Sequence, residues 1–499
     1  MLAIVRSATL LGADGSPVTV EVHVSSGLPG FTIVGLPDEA CREARDRVRA
    51  ALLSSELPWP QQRVTVNLAP SGVRKAGSGL DLAIAVGLLV AQEKIDRADV
   101  EGVGFVGELG LDGSVRPVTG VVPLVAALGA RACVVPAASV HEAMAVARGP
   151  VWAARTLAGV AAALRGDQQW PVPEPPPPSP PVVVPDLADV RGQPLARLAV
   201  EVAAAGDHHL LLVGPPGAGK TMLAQRLPGV LPPLGREAAI RATSIHSAAG
   251  LPLPPGGLMT RPPLRAPHHS ASLVAMVGGG SALLRPGEVS LSDGGVLFLD
   301  ELGEFAPAVL DGLRQPLEEG VVRITRARAS VTLPARFVLV AASNVCPCGP
   351  AGACVCSPVE LARYRRRLSG PLLDRIDLRV PVSRPEIDDL LTGPPGEPSV
   401  VVAERVARAR AVAIERQGCL NAALAGNRLD EVAPVSSAAI SVLRRQLERG
   451  RLSGRGLHRV RRVARTLADL HGVDTVDVDM VRAALALRAD VFDRARAAA

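Results

Sequence analysis

Gly214-Pro215-Pro216-Gly217-Ala218-Gly219-Lys220-Thr221 fits the pattern G-x-x-x-x-G-K-[ST] at every fixed position. Its glycines let the backbone wrap closely around phosphates with amide hydrogens pointing inward. A helix starting there adds positive potential from its N-terminus. Lys220 would neutralise the β- and γ-phosphates of a nucleotide, and Thr221 would hold Mg²⁺ through its hydroxyl. Further along, the apolar run Val296-Leu297-Phe298-Leu299 ends in Asp300-Glu301. Asp300 suits the Mg²⁺ shell, and Glu301 suits orienting and polarising an attacking water. A third apolar run, Phe337–Ala342, ends in Ser343-Asn344. The Asn344 amide could sit beside the γ-phosphate and position the water between phosphate and Glu301, or Asn344 could simply form a turn. The chemistry these residues spell is Mg²⁺-dependent hydrolysis of ATP.

Two further clusters are capable of binding. Cys346, Cys348, Cys354 and Cys356 form two C-x-C pairs joined by a glycine-containing turn. They could surround a tetrahedral Zn²⁺, with free thiols or a redox disulfide as the alternatives. In Glu319–Phe337, two β-rich runs flank Arg326-Ala327-Arg328-Ala329, which predicts a hairpin with a basic tip. Arg326 and Arg328 could contact nucleic-acid phosphates, or the tip could be a solvated charged turn. No aromatic residue interrupts the tip, which weighs against a peptide-gripping loop. His268-His269 would make an awkward pair of metal ligands, because neighbours on a strand point to opposite faces. His208-His209 reads as the lead-in to the strand before the glycine loop.

These residues need a scaffold of strands running into loops and helices. His209–Val213 predicts a buried strand and Thr221–Leu227 a helix; Val296–Asp300 and Phe337–Ala342 predict further strands of a parallel sheet. Ahead of this core, Trp170–Pro185 reads W-P-V-P-E-P-P-P-P-S-P-P-V-V-V-P, a composition that favours extended polyproline II and a semi-rigid linker. Before the linker, Val18–Val24 alternates at period two like a half-buried strand. Asp38–Leu53 predicts a helix capped by Asp38. Arg63–Leu68 predicts a strand, Leu80–Ala91 a buried helix or strand, and Gly104–Leu109, Ala132–Val135 and a helical Ala137–Ala147 follow. This is a compact α+β unit. From about residue 400 onward, periodic Ala/Arg/Leu segments predict an all-helical domain.

Composition bounds the class. With 499 residues, 48% apolar and 20% charged, the chain is globular and long enough for about three domains. Aromatics are only 2%, so the cores are built from Ala, Val and Leu, and base stacking on aromatic rings is disfavoured. Of 54 basic residues only Lys75, Lys94 and Lys220 are lysines. Net charge is +6, and residues 401–499 carry 18 Arg against 11 acids. A basic C-terminal domain is compatible with nucleic acid, as it is with solvated helix faces. The N-terminus lacks the features of a secretory signal, and the longest apolar stretch, near Leu82–Ala91, is about half of a membrane span. Seven cysteines, four of them crowded together, are no secreted disulfide framework. The expected location is the cytoplasm, with no membrane partner.

The chain resembles the Mg-chelatase-like AAA+ ATPases of the ComM/YifB type. The resemblance rests on D-V-R-G-Q (189–193), G-P-P-G-A-G-K-T, R-A-P-H-H-S-A-S (265–272), V-G-G-G (277–280), R-P-G-E-V-S-L-S-D-G-G-V-L-F-L-D-E (285–301), S-G-P-L-L-D-R-I-D-L (369–378) and R-V-A-R-T-L-A-D-L (462–470). It implies a multidomain α/β protein: a Lon-protease-domain-like α+β domain at 1–167, a Pro-rich linker at 168–185, an AAA+ P-loop core at 186–395, and a helical lid at 396–499. It implies a homo-oligomeric ring, a hexamer, with ATP between subunits. In that setting Arg375 matches the arginine finger entering the neighbour's site, and Arg455 the sensor-2 arginine of the lid, with Arg459 and Arg462 close by in sequence. An ion pair of Arg375 with Asp374 or Asp377 is the structural alternative. The hairpin would project into the pore. In the N-terminal domain the protease's Ser and Lys positions fall on Gly79 and Val122; Ser71, Ser78 and Lys75 lie near, and no peptidase activity is expected. The function implied is a DNA motor for branch migration or helicase action in recombination or transformation. A protein-remodelling or Mg-chelatase-type ATPase subunit is the alternative, and an ATP-dependent scaffold a third.

Overall fold

A computed structural model describes residues 1–178, 184–280, 284–326, 329–348, 354–368 and 370–489. Its centre is a sheet of five parallel strands in the order Leu264–Arg265, Val296–Leu299, Val338–Ser343, Leu210–Val213 and Leu378–Pro381. The three inner strands are buried on both faces, which is why they read as continuous apolar runs without alternation. Their limits lie within one or two residues of those predicted.

Parallel pairing puts the C-terminal ends of all five strands on one edge. Gly214, Asp300 and Asn344 each follow the last residues of a strand there. The strand Leu378–Pro381 starts level with Leu210. Arg375, just before it, therefore lies toward the opposite edge.

The N-terminal part is a seven-stranded mixed sheet ordered Gly30–Val34, Arg63–Ala69, Asp14–Ser25, Leu2–Leu11, Val103–Phe105, Ala132–Pro136 and Val151–Ala154. The helix Glu39–Ser54 is capped by Asp38, whose carboxylate accepts from the Cys41 amide at 2.8 Å. Leu80–Ala91 resolves as a helix, Asp81–Ala91, buried on every side. Gly87 lets that helix approach the sheet: a Cβ there would lie 2.7 Å from Val22 Cγ2. The strand Leu2–Leu11 escaped sequence reading because its inward positions include Ser7 and Thr9, while Ile4 faces out. The predicted helix Ala137–Ala147 is shorter, a 3₁₀ turn over Ala137–Ser139 followed by Val140–Met144. Residues 168–178 have no regular structure, and Trp170 stacks on Trp152 with rings 4.8 Å apart.

The C-terminal helices Ser399–Gln417, Ser437–Glu448, Gly454–His471 and Val478–Ala486 share one apolar core with the central sheet, where Val402, Val406, Val460 and Val463 join Leu210 and Leu212. The N-terminal part docks through the helix Val121–Leu128 onto Arg236–Ala249, with the Val122 amide donating to Ser247 Oγ at 3.3 Å. Among the described residues no helix is long and apolar enough to cross a membrane.

A buried polar chain pins the sheet to the helices. His208 has no exposed surface; its Nδ1 lies 3.2 Å from Asp377 and its Nε2 2.8 Å from Thr466 Oγ1. Thr466 accepts from Asn421 at 3.0 Å, and Asn421 donates to Asp469 at 2.7 Å. Arg459 also pairs with Asp377. Burial opposes charge on Asp377, but the His208 hydrogen bond and the charges of His208 and Arg459 outweigh it, so the carboxyl stays well below its usual range. Its contribution to stability is therefore present at neutral pH and is lost as pH falls below the ordinary carboxylate value of about 3.9. Asp377→Ala strands His208 and Arg459 and should cost about 3–5 kcal/mol, read as a lowered unfolding midpoint. Asp377→Asn should cost less, because it keeps a hydrogen bond to His208.

Candidate nucleotide site

The loop between Val213 and the helix Lys220–Val230 needs its glycines. Gly217 and Gly219 are left-handed, at φ 76° and 86°, and a Cβ on Gly214 would stand 2.0 Å from the Val382 carbonyl. Lys220 folds back over this loop: its Nζ donates to Gly214 O (2.8 Å), Pro215 O (2.9 Å) and Asn344 Oδ1 (3.0 Å). Burial lowers its pKa from the usual lysine value, opposed by the nearby Asp300 and Glu301 charges. Gln193, in a left-handed conformation, braces the loop by donating to Ala218 O at 2.7 Å and Ser383 O at 3.2 Å. This explains the Gln that closes D-V-R-G-Q, for which the sequence offered no role.

Thr221 Oγ1 donates to Asp300 Oδ2 at 2.8 Å, and Asp300 Oδ1 accepts from the Glu301 amide at 2.9 Å. Lys220, Thr221, Asp300, Glu301 and Asn344 therefore meet on one edge of the sheet. Hydroxyl and carboxylate oxygens side by side are the hard donors that Mg²⁺ takes, so these residues fit that ion.

Arg375 is elsewhere. Its guanidinium donates to Pro371 O at 2.6 Å and pairs with Glu318, while its own carbonyl accepts from Arg459 at 3.1 Å. The ion pair anticipated as its structural alternative is not with Asp374 or Asp377; Asp377 is occupied by His208 and Arg459. Arg375, Arg455, His458, Arg459 and Arg462 line one cavity of about 230 Å³ with Glu318 and Asp374. The glycine loop takes no part in lining it. The two arginines singled out in sequence, Arg375 and Arg455, are thus brought together, apart from the loop of their own chain.

The four thiols converge. The Sγ atoms of Cys346, Cys348, Cys354 and Cys356 all lie within 4.8 Å of one another, with Cys346–Cys348 at 3.2 Å and Cys348–Cys354 at 3.7 Å. Thiolates about 2.3 Å from a tetrahedral Zn²⁺ would stand about 3.8 Å apart. Hydrogen bonds from Cys356 and then Cys346 bring the Cys348 pKa down to about 7. The hairpin is present as Val321–Arg326 against Ala329–Pro334, closed by the pair Arg326–Ala329; Arg328 lies outside the described residues.

Two readings need correction. His268 and His269 do not sit on a strand; they follow it into a turn, and their rings lie 4.0 Å apart instead of facing oppositely. His208 is more than a lead-in, since it joins the sheet to the C-terminal helices. In the N-terminal domain Lys75 is fully buried and donates to Pro70 O, while Ser78 donates to Glu108. Among the described residues no Ser–Lys pair is assembled there.

A P-loop on a parallel sheet, with an acid pair and a polar amide at the same edge, defines the class of P-loop ATPases. Three family descriptions match the chain: "Magnesium chelatase, subunit ChlI" over 186–390, "Subunit ChlI of Mg-chelatase" over 20–139, and "Magnesium chelatase, subunit ChlI C-terminal" over 396–488. The chain is 42% identical to Competence protein ComM of Haemophilus influenzae, covering 98% of both. It is 41% identical to the uncharacterized protein YifB of Escherichia coli, over 98% of this chain and 97% of the other. An uncharacterized protein of Mycobacterium tuberculosis is 47% identical over 97% of both. A rice protein named "Probable DNA helicase MCM9" is 27% identical over 35% of this chain and 21% of its own length. The chain belongs to the ComM/YifB-type family of Mg-chelatase-like AAA+ ATPases.

Lys220→Ala removes a cation held over the loop by three hydrogen bonds. It should weaken ATP binding by roughly 100-fold or more, measured by titration with a fluorescent ATP analogue.

Proposed function

We propose that the protein is a cytoplasmic AAA+ ring motor that hydrolyses ATP between subunits and acts on DNA. The observation that carries this is the division of the site. Lys220, Thr221, Asp300, Glu301 and Asn344 lie on one edge of the sheet, and Arg375 with Arg455 lies toward the other. A guanidinium that cannot reach its own chain's phosphates can reach a neighbour's, and a closed ring, a hexamer in this reading, lets every subunit serve the next.

Within one interface, residues 214–221 would cradle the phosphates, and Lys220 would neutralise them. Mg²⁺, held by Thr221 and Asp300, would supply charge neutralisation at the phosphate oxygens. Glu301 would accept the proton of the attacking water, and Asn344 would help place it. Arg375 and Arg455 of the adjacent subunit would meet the charge that builds on the γ-phosphate.

DNA is proposed as the substrate because a hairpin with arginines at 326 and 328 carries no aromatic tip, and because a helicase-named protein shares part of the core. Branch migration or helicase action in recombination or transformation is the form this takes. A protein-remodelling or Mg-chelatase-type role remains the second reading, favoured by the three chelatase-subunit matches. The cysteine cluster is proposed to hold a structural Zn²⁺ beside Asn344.

Subunit mixing tests the divided site. Lys220→Ala and Arg375→Ala chains should each be inactive, and their mixture should regain hydrolysis, since some interfaces combine an intact loop with an intact arginine. A mixture as inactive as its parts contradicts the reading. Replacing Arg326 and Arg328 by Ala should weaken DNA binding, flatten its salt dependence by about one to two in slope, and leave ATP affinity unchanged. Unchanged DNA affinity at moderate salt counts against the hairpin. Elemental analysis should find one zinc per chain, lost in Cys348→Ser/Cys354→Ser; reduced, chelator-free protein without zinc would exclude the metal.

A further inference from the structure

His269 Nδ1 lies 3.3 Å from Glu301 Oε2. We infer that His269 is the positioning residue of Glu301: it holds one carboxylate oxygen so that the other faces the attacking water. The inference rests on the reading of Glu301 as the group that activates water.

The main chain of Glu301 is already fixed. It is left-handed at φ 51°, unusual for a residue with a side chain, and its amide donates to Asp300 at 2.9 Å. The carboxylate is not fixed by its backbone. It is 53% exposed and sits at the end of three side-chain torsions. Among the described residues His269 is the one ion-pair partner of this carboxylate. A half-exposed glutamate without that contact would spend its time in several rotamers, few of them aimed at the γ-phosphate.

His269 is itself well placed to act as a stop. The strand Leu264–Arg265 runs parallel to Val296–Leu299 and leaves the sheet at the same edge as Asp300-Glu301. Arg265 anchors its end through a two-pronged pair with Glu288, at 2.6 and 2.8 Å. The His269 ring then packs 4.0 Å from His268 and edge-on to Phe305. His268 Nδ1 is 2.8 Å from Ser270 Oγ, and Ser272 caps the helix Leu273–Val277, whose Met276 is buried. The motif R-A-P-H-H-S-A-S thus has an anchor in Arg265, an arm in His269 and a helix cap in Ser272. With Nδ1 set against Oε2, Oε1 keeps its lone pairs free to accept from water.

The test uses the full chain and three variants. His269→Ala should lower kcat by about 10–100-fold and leave KM and the affinity for a fluorescent ATP analogue within about twofold. His269→Asn, whose amide nitrogen takes the place of Nδ1, should recover most of kcat; His269→Gln, whose nitrogen sits further out, should not. In a Glu301→Gln background, His269→Ala should cause no further loss. The inference is overturned if His269→Ala matches or exceeds wild-type turnover, or if Asn and Gln fail alike with ATP affinity falling in step. Wild-type turnover in Glu301→Gln alone would instead remove the reading of Glu301, an outcome separate from any result at His269.

Discussion

The polarity of five parallel strands is the constraint on which the rest of the structure depends. Parallel pairing forces every strand to end on the same edge, so three loops far apart in sequence converge there without any further instruction. The same pairing sends the segment before Leu378 to the other edge, and Arg375 with it. In the proposed reading, a single chain therefore holds both halves of a hydrolytic site but cannot bring them together. On that reading the geometry of the sheet, more than any one residue, makes assembly part of the chemistry.

The polar chain from Asp377 through His208 to Thr466 gives this division a mechanical counterpart. Asp377 stands two residues beyond Arg375, and Thr466 lies on the helix that also carries Arg455. Buried charge of this kind tolerates little displacement, because each partner left unpaired would be costly. The segment that carries Arg375 and the helix that carries Arg455 are consequently tied to each other. Hairpin and N-terminal domain are also joined: a Cβ on Gly12 would lie 2.4 Å from Val331 Cγ1, so the turn at Gly12 fits against the hairpin only without a side chain.

Much of the site was legible because phosphate chemistry demands fixed spacing along the chain. Gly214–Thr221 and Asp300-Glu301 can be read as strings, and the strands before them as apolar runs. Arg375 and Arg455 were legible only through family resemblance; nothing in their spacing says that they share a cavity. His269 was unreadable for a different reason. Its partner is 32 positions away, and the assumption of a strand pointed its ring the wrong way. Leu2–Leu11 was hidden by polar residues on its buried face. Gln193 and His208 act through hydrogen bonds to backbone or to distant side chains, and such pairings leave no periodic trace in sequence.

The central claim is that hydrolysis requires two chains to share a site, and the most direct measurement is ATP turnover per chain as a function of protein concentration, with the assembly state followed in parallel. The account predicts that turnover per chain is negligible for the monomer and rises with the fraction assembled until the ring is complete. Turnover per chain that stays constant from monomer to oligomer would contradict it.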